Sequence, residues 1–329
     1  MNKKELEQLF DEIGQLHVVV VGDVMLDNYW WGDVERISPE APVPVVTLRK
    51  RESRLGGAAN VALNCRSLGA KVTLASVVGN DGEGKLLTEL ANKAGIDTSL
   101  VQSCKRTTTT KTRVMSRSQQ MLRLDDEITE DLPTEEEHPV IDMVLKYLQI
   151  QKPQVLIFED YNKGLLKENI IHRIAAHCKE LGVVTAVDPK KKNFLAYKNV
   201  TVFKPNLKEV REALHLTLPD VSEAEMNQVH KLLKKELGHE ITFITLSEKG
   251  VYYSNGKSAI IPSHLRNISD VSGAGDTVIA TASIIYALTR DAHLMAEISN
   301  IAGGLVCEEV GVVPIRREAL REECVRLLV

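Results

Sequence analysis

The sequence predicts an α/β protein built on a mostly parallel central sheet with helices on both faces. Three observations point there. Short runs rich in valine and isoleucine alternate with amphipathic segments along the chain. The short runs are apolar throughout rather than on every second residue, as in strands buried on both faces. The 329 residues, 43% apolar and 26% charged, have ordinary globular composition and enough length for a large core.

The run His17-Val-Val-Val-Val21 is the first expected strand, and residues 72–78, 155–158, 183–187, 200–203 and 241–246 repeat its character. Between them, residues 58–68, 84–94, 135–148, 166–181, 207–214 and 222–237 have helical spacing of apolar positions. Two stretches break the rhythm. Residues 29–54, with Trp30 and Trp31, and the threonine-rich residues 103–126 read as antiparallel strands projecting from the main sheet. They suit a small β lid, although an ordinary peripheral hairpin has the same pattern. No repeat or linker divides the chain, so residues 1–329 are expected to form one domain.

Charge and composition exclude several functions. The net charge of −4 gives no basic footprint for nucleic acid and no polybasic run for a membrane surface. The start, MNKKELEQLFDEI, lacks the apolar core of a signal peptide, and the longest apolar stretch, residues 278–288, is too short to span a bilayer. The five cysteines are scattered with no CxxC pair, as expected for reduced buried thiols in a cytoplasmic protein.

Five short elements carry candidate chemistry. In Asp270-Val-Ser-Gly273-Ala274-Gly275-Asp276, glycines precede an apolar helical run. They allow a tight turn, and the free amides of the following helix start suit a phosphoryl group. Asp276 in that first turn is positioned to take the proton of an attacking hydroxyl; a bare glycine turn with a helix cap has the same spelling. In Leu55-Gly56-Gly57-Ala-Ala-Asn60, paired glycines open a helix and the Asn60 amide can donate to and accept from sugar hydroxyls. Gly22-Asp23-Val-Met-Leu-Asp27 follows the first strand, which puts Asp23 at the ligand-binding edge of a parallel sheet, with Asp27 close behind. In Lys204-Pro-Asn206-Leu-Lys-Glu209, Asn206 and Glu209 share one face of a helix start, as for a water-linked magnesium ion or for a capping box. Thr245-Leu-Ser247-Glu-Lys-Gly250 is a strand-end loop able to approach a nucleotide.

In this order the elements resemble the ribokinase-like (PfkB-type) carbohydrate kinases, over almost the whole chain. The resemblance implies a ribokinase-like fold, Asp276 as the base and Gly273, Ala274 and Gly275 as the anion hole. It implies sugar binding by Asp23, Gly56, Gly57 and Asn60, with Asp27 in the same element, and magnesium linked through water to Asn206 and Glu209. ATP would be contacted by Asn206, Glu209, Ser247, Gly250, Gly275 and residues 300–304, including Asn300 and Gly303. It also implies a homodimer and admits a monovalent-cation site near Asp270.

The segments GDVMLDNYWWGDVERISPEAPVPVV, LGGAANVALN, RSQQMLRLDDE, EDYNKG and DPKKKN look like the D-glycero-β-D-manno-heptose-7-phosphate kinases, which serve ADP-heptose synthesis for the lipopolysaccharide core. Ribokinase itself has one more residue between the glycines and the asparagine, and Val278 stands where many members have phenylalanine. Many such kinases are fused to a nucleotidyltransferase; with no HxGH-type motif before Val329, the kinase half alone is expected. A phosphorylated sugar needs fixed positive charge. Lys163, in the EDYNKG loop past a strand end, is the candidate clamp, with Arg123 on the lid and Asp188 and Lys190 of DPKKKN beside it. The alternatives are a kinase for another sugar or sugar phosphate and a catalytically silent sugar- or nucleotide-binding regulator. A nicotinamide dehydrogenase would need GxGxxG after the first strand, and Gly22-Asp23-Val-Met does not supply it.

Overall fold

The computed structural model describes residues 1–117, 119–218 and 221–329. Ser118, inside one expected lid segment, lies outside the described residues.

The elements alternate as the sequence predicts. α1 (Lys3–Glu12) leads into β1 (His17–Gly22), followed by β2 (Val24–Ile37), β3 (Pro44–Gly57) and α2 (Ala58–Leu68). Next come β4 (Lys71–Gly79), α3 (Gly82–Lys93), β5 (Asp97–Cys104), β6 (Thr110–Ser116), β7 (Gln119–Asp126) and α4 (Thr134–Gln151). The chain continues through β8 (Val155–Glu159), α5 (Glu168–Leu181), β9 (Val184–Asp188), β10 (Val202–Phe203), α6 (Leu207–Leu214) and α7 (Glu223–Leu237). It closes with β11 (Ile241–Thr245), β12 (Val251–Ser254), β13 (Ser258–Ile261), α8 (Ala274–Thr289), α9 (Ala292–Val306) and α10 (Arg317–Leu328).

Nine strands form one sheet in the order β13-β12-β11-β10-β9-β8-β1-β4-β5. Its pairs are parallel except those made by β12, which runs antiparallel to β11 and β13. The continuous apolar runs follow from burial on two sides. Val18 and Val20 join the core beneath α2, α8 and α9, while Val19 and Val21 join the core beneath α4, α5 and α7. Side chains alternate across a strand, so a strand covered on both faces has no polar position to spare.

The second sheet, β3-β2-β6-β7, is the lid. It corrects the sequence reading in three ways. The lid begins at Val24 and runs back to Gly57, wider than residues 29–54. Residues 103 and 104 belong to β5, the edge of the central sheet, so the second lid segment starts at Thr110 rather than 103. The β2–β6 pair is parallel, not antiparallel, because the chain crosses the main sheet through β4 and β5 between them. The expected strand over 200–203 shrinks to Val202–Phe203.

All five cysteines are buried and unpaired. Among the described residues no helix is long and apolar enough to cross a membrane.

Candidate active site

The carboxyl ends of β1, β8, β9, β10 and β11 lie on one edge of the sheet, where ligands of open α/β folds bind. Asp23, Tyr161, Asp188, Lys204 and Ser247 follow or end those strands. The N-terminus of α8 packs against β8 and β9 at this edge.

Gly273 caps α8 with φ 79°, a left-handed conformation that favours glycine. A Cβ there would lie 3.0 Å from Asn60 Nδ2, so the turn also needs the missing side chain. Ala274 N–H reaches back to Val271 O at 3.3 Å. An anion hole is expected from the sequence at Gly273, Ala274 and Gly275; of these the Ala274 N–H is the one turned back on the chain, while the first turn of a helix leaves the next amides without intrahelical acceptors. A Cβ built on Gly275 would lie 3.6 Å from Asp188 Oδ2 and 3.9 Å from Lys204 Nζ, so this turn rests on a buried ion pair. That pair is 2.6 Å long.

Asp276 is buried and held on both oxygens. Asn60 Nδ2 donates to Oδ2 at 2.7 Å and the Tyr161 hydroxyl donates to Oδ1 at 2.8 Å. Burial pushes its carboxyl up to about 6, against those two hydrogen bonds, which pull it down. A carboxylate with that proton affinity is suited to general-base work near neutral pH. Asn60 is itself fixed: Asn64 Nδ2 donates to its Oδ1 at 3.2 Å, and Asn64 Oδ1 accepts from Thr277 and from Ile315 N–H, each at 2.9 Å. The amide expected to read a sugar thus has its inner end locked and donates to Asp276.

Asp23 is equally committed. Its carboxylate accepts the backbone N–H groups of Tyr161, Lys163 and Leu165 at 2.9, 3.0 and 3.2 Å. It anchors the loop after β8 against the end of β1. Gly57 has φ 59°, and a Cβ on it would lie 2.4 Å from Asp23 O. A Cβ on Gly56 would lie 2.3 Å from Asp27 Oδ2. The glycine pair and the Asp23–Asp27 segment, read separately in sequence, therefore form one contact. Asp27 makes a 2.5 Å ion pair with Arg113 on β6.

The phosphate clamp needs correcting in its details. Lys163 lies on the expected edge but pairs with Glu127 at 2.8 Å. Arg123 projects from the outermost lid strand and pairs with Asp125 at 2.9 Å, half exposed. Lys190 turns toward the start of α6, 2.7 Å from Glu209 and 3.4 Å from Asp188. Each cation already has a carboxylate partner, which one sequence position cannot reveal.

Asn206 and Glu209 form a complete capping box on α6: Glu209 N–H donates to Asn206 Oδ1 at 2.9 Å and Asn206 N–H to Glu209 Oε2 at 2.8 Å. Lys190 holds the other Glu209 oxygen. Among the described residues no three His, Cys, Asp or Glu side chains are grouped to hold a metal. The donor set fits a magnesium ion carried on phosphates and reached through water, not a protein cage. Ser247 (φ 55°) and Gly250 (φ 93°) form the turn after β11 on the same edge. Asn300 Nδ2 donates to Pro262 O at 2.8 Å. Gly303 is buried on α9, and a Cβ there would lie 2.7 Å from Val278 Cγ2 on α8, so the glycine serves helix packing.

A family model for pfkB family carbohydrate kinases matches residues 15–317. The chain belongs to that family. The bifunctional protein HldE of Methylobacillus flagellatus is 40% identical over 308 residues, 93% of this chain and 62% of that protein. HldE of Geobacter sulfurreducens is 36% identical over 94% of this chain and 63% of its own length. The chain thus spans less than two thirds of these curated relatives. Phosphofructokinase-2 from Escherichia coli, in complex with potassium, superposes with a TM-score of 0.79 at 15% identity, covering 95% of this chain and 99% of that one. Arabidopsis thaliana ribokinase, complexed with ribose and ATP, gives 0.72 at 17% identity over 93% and 99%. At such identities these structures establish the ribokinase-like fold.

Several residues of this pfkB-family site carried no role in the sequence reading. Tyr161 stands in EDYNKG and Lys204 in KPNLKE, each unremarkable by type. Lys204 is only 2% exposed. Glu159 at the end of β8 is fully buried, and neither carboxylate oxygen has a hydrogen-bond partner among the described residues. Burial, then Asp188 and Asp276 nearby, pushes its carboxyl well above the usual carboxylate range.

Proposed function

We propose that this chain transfers the γ-phosphoryl group of ATP to the anomeric hydroxyl of D-glycero-β-D-manno-heptose 7-phosphate. The product is the 1,7-bisphosphate, on the way to ADP-heptose for the lipopolysaccharide core. The observation that carries the reading is Asp276, buried in the first turn of α8 beside free amides and raised to about 6. The sugar hydroxyl gives its proton to Asp276 as it attacks, and the amides of Gly275 and Asp276 receive the transferred group's charge. Membership of a carbohydrate kinase family supports phosphoryl transfer to a sugar. Similarity to proteins named HldE, with the EDYNKG, DPKKKN and RSQQMLRLDDE segments, supports the heptose phosphate as acceptor.

ATP lies on the side of Asn206, Glu209, Ser247 and Gly250, and magnesium on its phosphates neutralises developing charge. Lys190, bonded to Glu209, sits between that side and the sugar side. A monovalent cation near Asp270 and a homodimer accompany the reading. Leu122 and Leu124, 53% and 47% exposed on the lid, support pairing through that sheet. An ATPase-coupled screen of sugars and sugar phosphates tests the proposal. Heptose 7-phosphate is expected to give the highest kcat/KM, and equal use of phosphorylated and unphosphorylated heptose overturns the acceptor assignment.

A further inference from the structure

We infer that Tyr161 is a positioning residue for the base, its hydroxyl fixing the Asp276 carboxylate from the sugar side while Asn60 fixes it from the helix side. The inference rests on the kinase reading for its kinetic consequences but on geometry for its substance. The phenol donates to Oδ1 at 2.8 Å and the Asn60 amide to Oδ2 at 2.7 Å, so neither oxygen is free to rotate away.

The tyrosine is itself held at three points. Its backbone N–H donates to Asp23 at 2.9 Å, which pins the loop to the end of β1. The preceding residue, Asp160, accepts from Asn162 N–H and from the Tyr197 hydroxyl, each at 2.8 Å, which pins the loop to the body of the domain. The Lys190 ammonium lies 5.3 Å from the ring centroid while bonding Glu209. One residue thus meets Asp23 through its backbone, and Asp276 and Lys190 through its side chain. A phenol placed only for packing would not need its oxygen on a buried carboxylate.

Of the ionisable groups around Asp276, Asp188 at the end of β9 pushes its proton affinity up and Lys190 pulls it down, with the buried Glu159 carboxyl nearby and Lys204 paired to Asp188. They oppose one another, which leaves the two hydrogen-bond donors to tune the base. A donor stabilises the ionised form, so its removal raises the proton affinity of the carboxylate. The base is active when unprotonated. Losing the phenol therefore moves the loss of activity, as pH falls, to a higher pH.

The test compares wild type, Tyr161→Phe and a protein with 3-fluorotyrosine at position 161, whose more acidic phenol is a stronger donor of nearly the same shape. The acid limb of kcat and the 13C carboxyl titration of Asp276 are read in each. Tyr161→Phe is expected to raise both midpoints by on the order of one pH unit and to lower kcat about tenfold, with KM for the sugar phosphate little changed. The fluorinated protein is expected to lower both midpoints. Unmoved midpoints in the two substituted proteins overturn the inference, as does a fall in kcat unaccompanied by any shift. If the wild type phosphorylates no sugar, the kinase reading fails while the carboxyl titration still decides the role of Tyr161. Should the phenylalanine variant not fold, the fluorinated protein decides it alone.

Discussion

The two ends of the site are prepared differently. At the α8 end the proposed base is already held in place: Asp276 is bonded by Asn60 and by Tyr161 in the first turn of the helix. At the lid end the cations suited to a sugar's phosphate are tied to carboxylates, Lys163 to Glu127, Arg113 to Asp27 and Arg123 to Asp125. A carboxylate held in this way, on a stiff helix beside a sheet edge, would need no reorientation at each turnover if it is the base. A binding end built of paired charges accepts a phosphate only by exchanging one anion for another. On the proposed reading such exchange would favour a phosphorylated sugar, because a neutral sugar supplies no anion to replace the carboxylate it displaces.

Four substitutions probe that contrast. Asp276→Asn keeps the shape and removes the basic oxygen; turnover is expected to fall by on the order of 10² or more with ATP still bound. Steady-state kinetics beside calorimetric ATP titration checks it, and near-normal turnover would show that the rigid end is not the chemical one. Lys163→Ala acts on the exchangeable end. Affinity for heptose 7-phosphate is expected to drop roughly tenfold to a hundredfold, the worth of a hydrogen bond to a charged group, with ATP affinity little altered. Equal sugar-phosphate affinity in the two proteins removes Lys163 as the clamp.

A smaller effect is expected from Glu209→Gln, which weakens the tie to Lys190 and the water-linked hold on magnesium. The magnesium concentration for half-maximal rate should rise several-fold, and an unchanged titration leaves Glu209 as a helix cap only. The smallest effect runs the other way. Glu127→Gln removes the anion that competes for Lys163, so the sugar phosphate should bind somewhat tighter at low ionic strength, and weaker binding would make Glu127 part of the pocket.

The difference between the ends also explains what could be read in advance. The strand at His17–Gly22 and the helix at Ala58–Leu68 come from local pattern, and the glycine turn that opens α8 comes from a local spelling, Gly273-Ala-Gly-Asp276. Backbone geometry at a helix start depends on adjacent residues, so it survives in one short segment. The lid did not transfer as well. Its parallel β2–β6 pair joins residues far apart in the chain, and periodicity along one strand carries no register with another. Tyr161 and Lys204 were hidden for the same reason, since their importance lies in the partners Asp276 and Asp188, 115 and 16 residues away. A glycine for close helix packing, such as Gly303 against Val278, and a glycine for close ligand approach look alike in sequence until the neighbour is known.

The central claim, that the base is held ready before any ligand arrives, is tested most directly by titrating the Asp276 side-chain carboxyl in the free protein. The 13C resonance is assigned by its disappearance in Asp276→Asn. The account predicts a midpoint of about 6, because burial outweighs the hydrogen bonds from Asn60 and Tyr161. Above that pH the carboxylate is free to accept a proton, and below it the base is lost. A midpoint near the ordinary aspartate value of about 4 would mean a solvated carboxylate, and would contradict the account.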